Sequence, residues 1–201
     1  MQSSPNRSTL NCVPRLPPLL PRLVACTAAV LCAPFAKGGG DPDAHVVGSV
    51  FFIAKSENRN QVHYGIRLDA ACRPAGETPV FAYWRMLERG PRATEALLAL
   101  EQPAYGLSSQ RVTKRDDRGG SVLVTLNALP KRVIAVESKA IGSTCRATAS
   151  AVVGGVQATL ASVFVQLRWP FGVESLLLSG WDADGHAVGE RLGNDGRAPY
   201  R

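Results

Sequence analysis

Six consecutive polar residues, Lys55-Ser56-Glu57-Asn58-Arg59-Asn60, break a stretch that is otherwise apolar or alternating from Phe51 to Asp69. Two amides, a hydroxyl and two cations in so short a run supply donors suited to an anion or to sugar hydroxyls. The same residue types also make turns, because Ser and Asn side chains mimic backbone hydrogen bonds and Asn tolerates the left-handed region. A turn accounts for the residue types but not for their density. A turn remains the first reading of the run; the competing functional reading makes Lys55, Ser56, Asn58 and Asn60 a polar rim, with Tyr64, Trp84, Arg85 and Tyr105 completing a candidate ligand-binding set. Tyr83 and Trp84 on an apolar segment, and Tyr105 before Gly106, suit a core at least as well. Arg85 stands between apolar neighbours and must find a partner or reach solvent; Glu57, Glu88 and Glu101 are the candidate partners.

Catalytic chemistry is thinly represented. Beyond the first 36 residues the histidines are His45, His63 and His186, and only His63 falls in a clear strand pattern. It lies on that strand's polar face, where a solvated ring is expected. No G-x-S-x-G elbow, H-E-x-x-H or paired C-x-x-C occurs in the chain. The glycine runs at 38–40, 119–120 and 154–155 belong to a linker or to strand junctions, not to a phosphate loop ahead of a helix. Asp182-Ala183-Asp184-Gly185 begins like a calcium loop but lacks the later ligand positions and the closing Glu, so a hairpin turn is expected instead. No catalytic residue, metal site or cofactor is assigned. The expectation is a non-enzymatic domain that binds a small molecule or an envelope component. The alternatives are a hydrolase-like envelope enzyme using carboxylates or His63, and a structural or protein-interaction domain.

The delivery of such a domain is written in the first 36 residues. Arg7, Arg15 and Arg22 precede the apolar run Leu23 to Ala36, and no acidic residue occurs among them. A positive flank, a short apolar run and then small residues form the layout of a secretory signal peptide ending at Ala36. Leu23-Val24-Ala25-Cys26 also resembles a lipobox, which would place a lipid anchor on Cys26. Export to the periplasm or medium, without a membrane span after processing, is the expected location. Loss of three arginines from 23 basic residues leaves 20 against 16 acidic ones, a net of +4 in place of +7. The remaining basic residues are scattered, so nucleic acid is not an expected partner. Cys72 and Cys145 survive as an even pair, and in an oxidising compartment they are expected to join. Their bridge would close 145 − 72 = 73 residues, worth about 4 kcal/mol in the chain-entropy model.

The expected organisation is a signal peptide (1–36), a flexible linker (37–46), a β-rich domain (47–192) and a disordered tail (193–201). Within the domain, period two dominates. Val62, Tyr64, Ile66 and Leu68 alternate with Gln61, His63, Gly65 and Arg67; Pro79 to Leu87 is apolar on both faces; Val122, Val124 and Leu126 share one side. Further strands are expected at 132–138, 144–153 and 156–169, and on both sides of Asp182–Gly185. Pro91 to Gln102 is rich in helix formers between two prolines and predicts one helix of about ten residues. Eight or nine strands and one short helix give a mainly β, single-domain fold, an antiparallel β-sandwich or closed β-barrel.

The run Val50 to Asp69 with its S-x-N-x-N, the strand bearing Tyr83-Trp84, and Ala104-Tyr105-Gly106 after the predicted helix resemble an uncharacterised family of exported bacterial proteins, a domain of unknown function. The resemblance spans about 47–190. It implies one exported domain and carries no activity with it.

Overall fold

Alternating apolar residues in the chain become strands whose buried sides share one core. The computed structural model describes residues 45–168 and 172–193; the expected signal peptide, Cys26 and the tail beyond Gly193 lie outside the described residues. His45 is not linker: it opens β1 (His45–Lys55), which turns through Ser56-Glu57 into β2 (Asn58–Leu68). β3 (Val80–Arg85) and the short β4 (Thr94–Ala96) continue this wing. A second wing is a meander of β5 (Leu107–Asp116), β6 (Gly119–Leu126), β7 (Leu129–Ile141) and β8 (Thr144–Val153). β9 (Val156–Arg168) joins the wings, and β10 (Gly172–Trp181) and β11 (Ala187–Gly193) form the closing hairpin.

β9 is the branch point. Val156 to Thr159 pair with β8, whereas Ser162 to Val165 pair with Phe52 to Lys55 of β1; β10 runs along the opposite edge. The β1–β9 ladder is parallel, and among the described residues every other ladder is antiparallel, so the expectation of a purely antiparallel fold needs this correction. The path β4-β3-β2-β1-β9-β8-β7-β6-β5 is not closed by a ladder between β4 and β5. Instead the Gln110 amide of β5 accepts from Val80 N–H (2.9 Å) and donates to Val80 C=O (3.2 Å), standing in for one rung beside β3.

Phe51, Ile53, Val62, Tyr64 and Ile66 from one wing meet Val122, Val124, Ile134 and Val136 from the other in a single cluster, completed by Leu160, Val163, Leu176, Leu178 and Leu192. Cys72 and Cys145 are bonded, with Cα atoms 5.3 Å apart, tying the β2–β3 connection to the start of β8. Ser138 adds a buried hydroxyl donated to Cys72 C=O at 2.8 Å. No buried side-chain nitrogen or oxygen among the described residues lacks a hydrogen bond. The last hairpin turns as expected, with Gly185 at φ +82° and Asp182 Oδ1 accepting from the Asp184 and His186 amides.

The helix differs from its expectation. Among the described residues there is one short helix, but it is a single turn, α1 (Gln102–Tyr105), entered from a 3-10 turn at Ala99–Glu101. Residues 94–96, inside the expected helix, instead pair with Tyr83 to Arg85. Edge pairing on β3 overrides helix propensity here. Pro103 sits in the first turn of α1, where its missing N–H costs nothing, and so starts a helix that it was expected to stop.

Candidate functional site

The fold-back of β4 and the 3-10 turn over β3 creates a cleft at one end of the core. Lys55 from the end of β1, Asn60 from β2, Trp84 from β3, Met86, Glu95 and Ala96, then Leu98 and Glu101 line a cavity of about 420 Å³. That size lies within the roughly 300–1,000 Å³ range of small-molecule sites. Trp84 forms its wall. Its indole N–H donates to Glu101 Oε2 at 2.9 Å, and the Leu98 amide donates to the same oxygen at 2.8 Å. The Tyr105 ring meets Trp84 edge-on, 5.3 Å between centroids at 71°. Beneath it, Tyr64 stacks on Phe51 and donates its hydroxyl to Tyr105 C=O at 2.6 Å.

Electrostatics distinguish the groups of the cleft. Burial pushes the Tyr64 phenol far above its ordinary value, so this group acts only as a donor. Tyr105 is raised as well, first by burial and then by Glu57 and Glu101. Glu95 pairs with Arg89, and Glu101 Oε2 already accepts two hydrogen bonds. Lys55 differs: its ammonium lies 5.2 Å from the Trp84 ring centre, and among the described residues no carboxylate pairs with it.

The structure brings together Lys55, Asn60 and Trp84, with Tyr105 behind Trp84 and Tyr64 in the core beneath. The rest of the polar run holds the turn. Ser56 Oγ accepts from Leu167 N–H at 3.1 Å, and Ser56 N–H donates to Val165 C=O, so this residue anchors the hairpin to β9. Asn58 Oδ1 accepts from Asn60 N–H at 3.1 Å, an Asx-type turn. Asn60 reaches Glu88 with both ends of its amide, at 3.3 and 3.2 Å. Arg85 finds none of its expected carboxylates; its Nε and Nη2 donate to Pro91 C=O at 3.3 and 3.2 Å. The sequence does not mark Met86, Glu95 or Leu98 as lining residues, because nothing in it announces that 94–101 folds back to make a cleft beside Trp84 and Met86.

His63 corrects another expectation. Far from being solvated, it is 3% exposed, with Phe52 at 5.3 Å and Tyr83 at 5.8 Å between ring centres. Its Nδ1 lies 2.7 Å from Ser49 Oγ and its Nε2 2.9 Å from Gln61 Oε1. Burial, and then the Arg85 charge, lower its pKa from 6.5 to about 4. In the last hairpin, ligand atoms of Asp182, Asp184 and His186 lie within 4.8 Å of one another. Asp182 there caps its own turn through two backbone amides. A second, more polar cleft of about 230 Å³ lies among Lys114, Asp116, Glu137, Lys139 and Arg146, with Lys114 paired to Asp116 at 2.8 Å.

No helix among the described residues is long and apolar enough to cross a membrane. Neither the curated proteins nor the solved structures contain a match to this chain. Residues 51–191, from the first core residue of β1 into β11, match the model of a domain of unknown function, DUF4833, and the chain belongs to that family.

Proposed function

We propose that this domain is an exported binding module whose Trp84 cleft takes a small amphipathic anion. A carboxylate or similar group would meet Lys55, and the apolar body would lie against Trp84, Met86 and Leu98. One observation carries this reading: Lys55 holds its charge over an indole at the rim of a largely apolar cleft, with no carboxylate paired to it among the described residues. A cation kept on an aromatic face retains hydrogen-bond donors for an incoming anion. Asn60 lies beside it as a second polar contact. The side-chain rung at Gln110 and the single core support a sandwich-like arrangement of the two wings, with the cleft at an open end.

Export rests on separate support. The disulfide suits an oxidising compartment, and the positive flank followed by a short apolar run suits a signal peptide at 1–36, with a linker ahead of His45 and a tail after Gly193. Mass spectrometry of the protein purified from the periplasm tests it: a mature chain starting after Ala36 agrees, and an acylated Cys26 replaces simple cleavage with a lipid anchor.

The binding reading is tested by titrating the processed protein with a medium-chain carboxylate such as decanoate, read by tryptophan fluorescence. Lys55→Met should weaken binding about ten-fold, the loss of one modest charged contact, and Lys55→Arg should largely restore it. Equal affinity in wild type and Lys55→Met, or no binding by wild type, rejects the proposal.

A further inference from the structure

On the opposite face of β2 from the cleft, β1 leaves its ladder. Val47 faces Ile66 and Phe51 faces Tyr64, so Gly48, Ser49 and Val50 stand opposite the single residue Gly65. The bulge is built in on both sides. A Cβ at Gly65 would lie 2.6 Å from Phe81 Cζ and 2.8 and 2.9 Å from the Val47 and Gly48 carbonyl oxygens. Tyr83 fixes the crest by donating its hydroxyl to Gly48 C=O at 2.7 Å. Bulges of this kind re-aim side chains and are frequent beside active sites.

The side chain that is re-aimed is Ser49. It is exposed to solvent, and its Oγ lies 2.7 Å from Nδ1 of the buried His63. The ring cannot swing away, because it stands between Phe52 and Tyr83 and its Nε2 meets Gln61 Oε1 at 2.9 Å. The assignment that satisfies these atoms puts the ring proton on Nε2, donated to Gln61, and leaves the Nδ1 lone pair to accept the Ser49 hydroxyl. A nucleophile, a base and a residue that orients the base are thus in sequence, in hydrogen-bond contact.

The geometry points to an acyl-transfer site: Ser49 is the nucleophile, His63 its general base and Gln61 the positioning residue, acting on small, solvent-accessible esters with good leaving groups. Ser49 Oγ attacks the ester carbonyl carbon while its proton passes to His63 Nδ1. The tetrahedral adduct collapses, the C–O bond to the alcohol breaks, and the alcohol leaves with the proton from Nδ1. Water, deprotonated by the same nitrogen, then attacks the acyl-serine and releases the carboxylic acid and Ser49. Ester and water give acid and alcohol, with no change of oxidation state. A neutral amide in place of a carboxylate behind the ring, with Arg85 nearby, leaves His63 a weak base. Slow turnover, restricted to activated acyl groups such as aryl esters, is the consequence.

The test uses the processed protein and a fluorophosphonate probe, with the adduct mapped by mass spectrometry and p-nitrophenyl acetate hydrolysis measured in parallel. The expected adduct is on Ser49, absent from the denatured protein. Ser49→Ala should abolish both signals with its melting temperature reported alongside. Gln61→Glu, which sets a carboxylate behind the ring, should speed labelling several-fold and move its pH midpoint upward, a change that a merely structural hydrogen bond does not produce. His63→Gln should lower labelling at least ten-fold, and if that variant does not fold, the Gln61→Glu pH profile decides alone. Absence of a Ser49 adduct above the denatured background, or esterase activity surviving in Ser49→Ala, overturns the assignment.

Discussion

Replacing both members of the Cys72–Cys145 bridge by alanine removes a cross-link that closes 73 residues, including all of β3 to β7. In the chain-entropy model that loop is worth about 4 kcal/mol, because the unfolded chain regains the freedom the bridge denied it. The backbone allows the effect to be divided. Cys72 sits at φ +61°, the only described non-glycine residue with positive φ. Any side chain there carries a left-handed penalty of about 1 kcal/mol or more. Cys72→Ala/Cys145→Ala retains that penalty and should lose about 4 kcal/mol, whereas Cys72→Gly/Cys145→Ala relieves it and should lose about 3. Urea unfolding followed by tryptophan fluorescence reads both, and the slope against urea should steepen as the unfolded chain expands. A loss under about 1 kcal/mol in the alanine pair, with an unchanged slope, refutes the loop argument. Identical stability of the two pairs refutes the backbone argument.

Stability should also depend on pH through His63. Its folded pKa of about 4 lies below the ordinary 6.5, so between these values the unfolded chain binds more protons. Native stability is therefore complete above pH 6.5 and falls as the pH drops toward 4, by on the order of 2–3 kcal/mol. Denaturation of His63→Phe across that window should show a flatter pH dependence, and an unchanged slope would falsify the assignment. Glu101→Ala leaves the Trp84 indole and the Leu98 amide without their shared acceptor and should cost about 2 kcal/mol, with a shifted Trp84 emission. Glu101→Gln, which keeps an acceptor oxygen, should cost less. Gln110→Leu should cost about 1–2 kcal/mol and accelerate hydrogen exchange at Val80, since that amide then has no partner; an unaltered exchange rate counts against the side-chain rung.

The parts legible in the sequence are those where one strand faces core on one side. Val62, Tyr64, Ile66 and Leu68 announce β2 because all four are buried on one face. Asp182–Gly185 announces its hairpin by local turn chemistry, and the paired cysteines announce their bridge by arithmetic. β5 carries little apolar signal, because Leu107–Asp116 is mostly exposed and holds its place by ladder bonds to β6. Residues 91–102 read as helix because their propensity is local, whereas their pairing with β3 is not. His63 reads as solvated in the sequence for a related reason: the rings that cover it come from Phe52 and Tyr83 on neighbouring strands, aligned across it by register. Three of the eight residues that line the cleft, Lys55, Asn60 and Trp84, stand out in the chain. Most of the others depend on a fold-back with no periodic signature.

The parallel contact between β1 and β9 sets an order of assembly. Phe52 and its partner Ser162 are 162 − 52 = 110 residues apart, so a chain made from its N-terminus completes the first hairpin long before the strand that covers its outer edge exists. Until then Phe52 to Lys55 present unpaired amides and carbonyls beside apolar side chains, an adhesive border for any other strand. Acquisition of the native state should wait on this late, distant meeting and be slow for a domain of this size. A chain truncated before β9 should form the meander and both hairpins of the wings yet self-associate through that uncovered border.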